Sequence, residues 1–143
     1  MPVTFSASQF SGSNILIFDS QSVGRTEFIS NVKDADAVII EDADTILNNV
    51  CIDTIKTAGY RQVIMALKGC KAENKYVLSF DYMVVFNNKH MGWRDDIYYN
   101  YALQCAFEDF EEFSQTLDKL EDYECLVISA DEGSARRFTF RRD

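Results

Sequence analysis

Apolar and polar positions along this chain follow two alternating patterns. Segments rich in apolar residues at 14–18 and 35–40 predict buried β-strands, and RQVIMALKG at 61–69 predicts a third strand. Between the first two runs, apolar residues spaced for one helical face predict a short helix over 25–33, and a similar stripe predicts a helix over 43–57. Because strands alternate with helices, we expect a parallel sheet with helices packed on its faces.

The second half of the chain changes character. Residues 74–88 are rich in strand-forming residues, and apolar positions spaced by three and four predict one long helix over 93–123. Two alternating segments around Gly133 then predict an antiparallel hairpin. At 143 residues the length is that of one domain. The expected fold is therefore a three-layer α/β domain over 1–143, with a mostly parallel sheet and a C-terminal antiparallel hairpin.

Composition limits the cellular environment and the kinds of partner that we expect for this protein. The formal net charge is −9, from 23 acidic and 14 basic residues, which argues against direct binding to a phosphate backbone. Neither a membrane-spanning apolar run nor a signal-like start is present in the sequence, so we expect a cytoplasmic protein without membrane contact. Four dispersed cysteines and one histidine indicate neither a zinc site nor a disulfide framework.

The segment between the first strand and the first helix, DSQSVGRT at 19–26, is close to a phosphate-binding loop. That motif, G-x-x-x-x-G-K-[S/T], cradles phosphate at a helix N-terminus, with a lysine on the phosphates and a hydroxyl on magnesium. Gly24 and Thr26 match it, whereas Asp19 replaces the first glycine and Arg25 replaces the lysine. The candidate nucleotide-binding residues are therefore Gly24, Arg25 and Thr26.

The second strand ends in acids, in the sequence AVIIEDADT. Asp42 is the candidate magnesium ligand and Glu41 the candidate catalytic residue beside an attacking water. Together with residues 19–26, this segment resembles the Walker A and Walker B motifs of P-loop NTPases. The layout of the later strands and helices resembles viral genome-packaging ATPases of the FtsK–HerA type.

This resemblance implies a P-loop fold, a viral setting and, where the site is live, Mg-ATP as cofactor. Two motif positions differ, and the acids come as Glu then Asp, the reverse of the usual order. About ten residues separate Thr26 from the second strand, where the family has more chain. We therefore expect a shortened, catalytically inactive relative.

Two charged surfaces are candidates for partner binding. Acidic side chains line the outer face of the predicted long helix, and arginines bracket two phenylalanines in the last strand. A solvated helix face and protection of an edge strand are the simpler explanations. The candidate interaction residues are Glu108, Glu111, Glu112, Asp118, Arg136, Arg137, Arg141 and Arg142.

Three functions follow from these features. The favoured one is a P-loop-like protein with a lost or weak nucleotide site that acts by binding a protein partner or further copies of itself. The second is an active oligomeric NTPase, in which Arg25 contacts phosphate, Thr26 and Asp42 surround magnesium, and Glu41 activates water. The third is an acidic mimic of DNA that occupies a nucleic-acid-binding protein.

Overall fold

The computed structural model describes residues 10–19, 24–40, 61–67, 80–100, 106–121, 123–129 and 133–140. These ranges contain six strands and three helices, labelled here in chain order. The strands are β1 (Ile15–Phe18), β2 (Ala37–Ile40), β3 (Gln62–Leu67), β4 (Tyr82–Val85), β5 (Glu124–Ser129) and β6 (Ser134–Thr139). The helices are α1 (Arg25–Val32), α2 (Met91–Asn100) and α3 (Phe110–Asp118).

The six strands form one mixed sheet in the order β2-β3-β1-β4-β5-β6. The first four strands in this order are parallel to one another, whereas β4, β5 and β6 pair antiparallel. The predicted α/β fold with a mostly parallel sheet and a C-terminal hairpin is confirmed.

Side chains alternate along each strand and build a separate core on each face of the sheet. In β1, Leu16 and Phe18 face a cluster that includes residues of α2 and α3. Ile15 and Ile17 face a second cluster that includes the buried side of α1. Because successive strand residues point to opposite faces, the continuous apolar run of β1 is what a strand covered on both sides needs. The three-layer arrangement follows from these two cores.

The first helix matches its prediction, but β2 does not. Phe28, Ile29 and Val32 are the buried residues of α1. The prediction that the second strand is buried was wrong: β2 lies at the edge of the described sheet, and Ile39 is 38% exposed. An edge strand has a neighbour on one side alone, so an apolar run does not guarantee burial there.

The single long helix predicted over 93–123 was also wrong. Helix α2 ends at Asn100 and α3 begins at Phe110, with turns and bends over 106–109. Asp109 caps α3, because its Oδ1 accepts the backbone N–H of Glu112 at 2.9 Å. The Glu112 carboxylate in turn accepts the N–H of Glu108 at 3.3 Å. These two hydrogen bonds resemble a capping box. They start a new helix, although the helical spacing of apolar residues continues across this point of the sequence.

Two predictions fall outside the described residues: the helix over 43–57 and the strand character of 74–79. Among the helices that the structure describes, none has the length and apolar character needed to cross a membrane.

Candidate functional site

The carboxyl ends of β1 and β4 define the most favourable place for a ligand in this fold. The two strands are parallel neighbours, yet β1 leads into α1 on one face and β4 leads into α2 on the other. Such a reversal opens a crevice at the end of the sheet, where open α/β sheets bind ligands. The candidate loop therefore lies at the expected position, although its residues 20–23 are outside the described ranges.

Gly24 stands directly before α1 and is buried. Its carbonyl accepts the N–H of Phe28 at 2.9 Å, the first hydrogen bond of the helix. A Cβ placed on Gly24 would lie 2.8 Å from Cζ of Phe140 and 3.3 Å from Cε1 of Phe86. The aromatic packing beneath α1 therefore requires a glycine here, whether or not a phosphate binds.

Arg25 and Thr26 are the first two residues of α1. Arg25 is half-buried, and Thr26 is exposed with its hydroxyl near the helix N-terminus. Glu27 follows in the same first turn. The positive end of the helix dipole, a threonine and an acidic residue therefore lie in the same helical turn.

Asp19, the residue that replaces the first glycine of the motif, follows β1 directly. Its side chain is 1% exposed, and its backbone N–H donates to the carbonyl of Leu67 at 3.0 Å. The fold therefore holds a buried carboxyl group at the carboxyl end of β1, at the entrance to the candidate loop.

The acidic segment follows β2, and β2 is not a neighbour of β1 in the sheet. Ile40 is paired with Met65 of β3, which lies between β2 and β1 in the sheet. Two strand spacings amount to about 10 Å. Glu41 and Asp42 lie outside the described residues, so their proposed roles stay predictions. Within the described ranges, no three histidine, cysteine, aspartate or glutamate side chains come together to hold a metal ion.

A buried arginine fixes the connector from β4 to α2. Arg94 is 1% exposed. Its Nε donates to the Asn88 carbonyl at 2.7 Å, and Nη1 donates to the carbonyl and Oγ of Ser114 at 3.0 and 2.6 Å. Nη2 donates to Oδ1 of Asn87 at 3.1 Å and to Oδ1 of Asp118 at 2.8 Å. Arg94 therefore joins the rim of the crevice to α3.

The sequence analysis did not single out Arg94, although the sequence contains a sign that this arginine is buried. Arg94 is spaced three and four residues from Ile97 and Tyr98, which are both buried, so it falls on the apolar face of α2. A charged residue at such a position needs partners. The pKa of Asp118 is lowered, mainly by the hydrogen bond from Arg94 and further by attraction to the Arg94 charge.

Most of the predicted acidic surface lies at the start of α3. Glu108, Glu111 and Glu112 are exposed there, and Glu111 accepts a hydrogen bond from Gln115 at 3.2 Å. Acidic groups in a first turn are stabilised by the helix dipole. Asp118, at the other end of the helix, is 60% exposed and paired with Arg94. These acids therefore have structural roles besides any contact with a partner.

The arginines of β6 are divided between the two faces of the sheet. Arg137 donates to the carboxylate of Glu124 and, at 3.3 Å, to the Lys119 carbonyl. Arg136 is half-buried and points to the opposite face, the face of Phe138. Burial raises the pKa of Glu124, but hydrogen bonds, first from Arg137, outweigh it and leave that pKa lowered. Arg141 and Arg142 lie outside the described residues.

Comparison with known proteins identifies the fold. No family model matches the sequence, and no curated protein is similar to it. The structure is similar to the genome packaging NTPase B204 from Sulfolobus turreted icosahedral virus 2. In the complex with ATP-gammaS the TM-score is 0.57 at 7% identity, covering 93% of this chain and 97% of that chain. In the complex with AMPPCP the TM-score is 0.56 at 8% identity, and the match covers 88% of this chain and 96% of that chain. The chain shares an NTPase fold.

The residues at the crevice fit a magnesium nucleotide in part. The start of α1 and the Thr26 hydroxyl suit a phosphate and its metal ion. Asp19, by contrast, places a buried carboxyl group at a position where the motif has glycine. Taken as a set, the described residues do not make a complete Mg-ATP site, and no chemical step is derived from one.

Proposed function

We propose that this protein is a P-loop-like member of the viral packaging-NTPase type that acts by binding other proteins, with a nucleotide site that is weak or lost. The observation that carries this proposal is the buried Asp19 at the end of β1, within a fold similar to that of a packaging NTPase. The fold is similar to that of a packaging NTPase, whereas the first glycine of the motif is replaced by aspartate.

The physical reason lies in charge and shape. An acidic side chain stands where the motif has glycine, and like charges repel more strongly in a buried site than in water. Arg25 keeps the positive charge of the missing lysine but spreads it over a planar fork. Position 19 also carries a side chain, whereas the motif has glycine there, which lets the backbone turn more freely.

The second candidate is an active NTPase that works as an oligomer. It is favoured by the two structural neighbours, which are described in complex with ATP-gammaS and AMPPCP. In this case Arg25, Thr26 and Asp42 would hold Mg-ATP and Glu41 would activate water. The DNA-mimic function gains less support, since Asp109, Asp118 and Glu124 bond within the chain.

Nucleotide binding is tested by melting the protein with and without about 5 mM Mg-ATP. A ligand at a concentration equal to its Kd stabilises by about 0.4 kcal/mol, so a weak or lost site predicts a shift near zero. The Arg25→Ala variant should behave like wild type. A large shift that Arg25→Ala abolishes supports the NTPase and overturns the proposal.

Self-association is tested by sedimentation at low and high salt. If copies of the chain bind through opposite charges, the mass should exceed that of one chain and fall as salt rises. A single-chain mass at every salt concentration would contradict self-association. Displacement of DNA from a DNA-binding protein would instead favour the mimic.

A further inference from the structure

Helices α2 and α3 pack against the same face of the sheet and meet along a common seam. Near the start of α2, Sδ of Met91 lies 3.9 Å from Oγ of Ser114. Near its end, the rings of Tyr99 and Phe110 are stacked with centroids 6.2 Å apart and an interplanar angle of 9°. Because the start of α2 meets a later residue of α3 than its end does, the two helices run in opposite directions.

Two large apolar side chains stand on the outer side of this seam. Met91 is 54% exposed and Tyr99 is 55% exposed. They are eight residues apart on α2, which places them about 12 Å apart along the helix axis. Asp95 lies four residues from each of them and therefore on the same side of α2. A helix laid along the seam would cover both apolar side chains, and methionine and tyrosine are well suited to such contacts.

The seam carries negative charge from both helices. On α2, Asp95 is exposed and has no hydrogen bond or ion pair with another residue of the described ranges. On α3, Glu111 is exposed and accepts a hydrogen bond from the neutral side chain of Gln115. Asp118, further along α3, is already paired with Arg94 and adds little to this charge. Asp95 and Glu111 are therefore complemented by a positively charged partner.

We propose that the seam between α2 and α3 binds a basic amphipathic helix of another protein. Its apolar side would contact Met91 and Tyr99, and its lysine or arginine side chains would lie beside Asp95 and Glu111. Helices that bind in grooves use apolar anchors spaced by three, four and seven residues. A second copy of the seam is a poor occupant, because its own acids would face Asp95 and Glu111. This inference rests on the proposed function, since it gives a protein that acts through contacts a surface and a partner chemistry.

The probe is a capped peptide of about 16 residues, long enough to form a helix, with leucine at the spacing of one helix face and lysine on the flanking positions. It is titrated into the full ¹⁵N-labelled protein, whose spectrum also shows whether each variant is folded. We expect shifts of the amide signals of α2 and α3. The same peptide with serine in place of leucine should bind at least about tenfold more weakly, because it lacks the apolar anchors.

Two variants test the two parts of the seam. Asp95→Lys should weaken binding of the lysine peptide about tenfold, because an attractive contact becomes repulsive, and should improve binding of the same peptide with glutamate in place of lysine. Tyr99→Ser should weaken binding of both peptides, because it removes an apolar anchor. Asp36→Lys is the matched control for charge, since Asp36 is an exposed aspartate that precedes the edge strand β2, and it should bind like wild type.

The inference is overturned if folded wild type does not bind at millimolar lysine peptide, or if the shifts lie away from α2 and α3. It is also overturned if the serine and leucine peptides bind equally, or if Asp95→Lys and Asp36→Lys have equal effects. The proposed function fails in a different experiment, the melting test with Mg-ATP, so the two failures are distinguishable.

Discussion

At the scale of single residues, Gly24 shows how one residue type can serve two different needs. A phosphate loop needs glycine so that the backbone can approach the phosphates. Here the ring of Phe140 already excludes a Cβ, at 2.8 Å. Packing alone therefore accounts for this glycine, and its match to the motif is not by itself a sign of nucleotide binding.

Gly24→Ala is expected to lower the free energy of unfolding by about 1–3 kcal/mol, the usual cost of overpacking a core. Urea denaturation measures this loss. The double variant with Phe140→Leu should lose less than the sum of the two single changes, because the two positions are in contact. Strict additivity would show that the ring does not cause the clash.

Arg94 is the second residue whose environment decides its role. Replacing it with methionine removes the hydrogen bonds by which Arg94 joins the connector to α3 and leaves the carbonyls of Asn88 and Ser114 without this donor. We expect a loss of about 3 kcal/mol in unfolding free energy, measured in urea. Asp118→Asn keeps an acceptor for Nη2 on an exposed side chain and should cost clearly less than the loss of Arg94. Equal losses for the two variants would contradict this assignment.

At the scale of elements, the boundary between α2 and α3 depends on Asp109. Asp109→Ala should destabilise the protein by about 1 kcal/mol through loss of the N-cap, whereas Asp109→Asn should be nearly neutral. Chemical denaturation compares the two variants. An alanine variant as stable as wild type would show that the cap does not define the start of α3.

The stability of the β5–β6 hairpin is expected to depend on pH through Glu124. Its pKa in the folded protein is lowered, with hydrogen bonds outweighing the effect of burial. This stabilisation is therefore complete above the unfolded value of about 4.3 and is lost as pH falls through the lower folded pKa. Unfolding free energies measured from about pH 6 down to about pH 3 should fall less steeply for Glu124→Gln. Identical slopes would contradict the role of this carboxylate.

Elements were predictable where one physical cause dominates. The apolar run of β1 reflects burial on two faces, and the spacing of Phe28, Ile29 and Val32 reflects one buried helix side. The break near Asp109 was not predictable from periodicity, because the apolar spacing continues across it. The clue was local: an aspartate followed three residues later by a glutamate.

At the scale of the whole molecule, sheet order positions the candidate site. Periodicity cannot tell that β3 inserts between β1 and β2, so that the acidic segment follows a strand that is not a neighbour of β1. Nor can it tell that β2 lies at an edge. The sequence placed residues 19–26 between the first strand and the first helix, and Asp19 follows β1 while Arg25 begins α1, whereas the burial of Asp19 depends on the folded chain.

The central claim is that Asp19 and Arg25 weaken nucleotide binding on an otherwise suitable scaffold. Calorimetric titration with Mg-ATP tests it most directly, by comparing wild type with Asp19→Gly/Arg25→Lys, which completes the motif from 19 to 26. Asp36→Gly/Arg61→Lys makes the same changes at exposed positions and serves as control. We predict at least about tenfold tighter binding by the completed motif, a gain of about 1.4 kcal/mol, and none by the control. Tight binding by wild type, or no gain on completing the motif in a folded variant, would contradict the account.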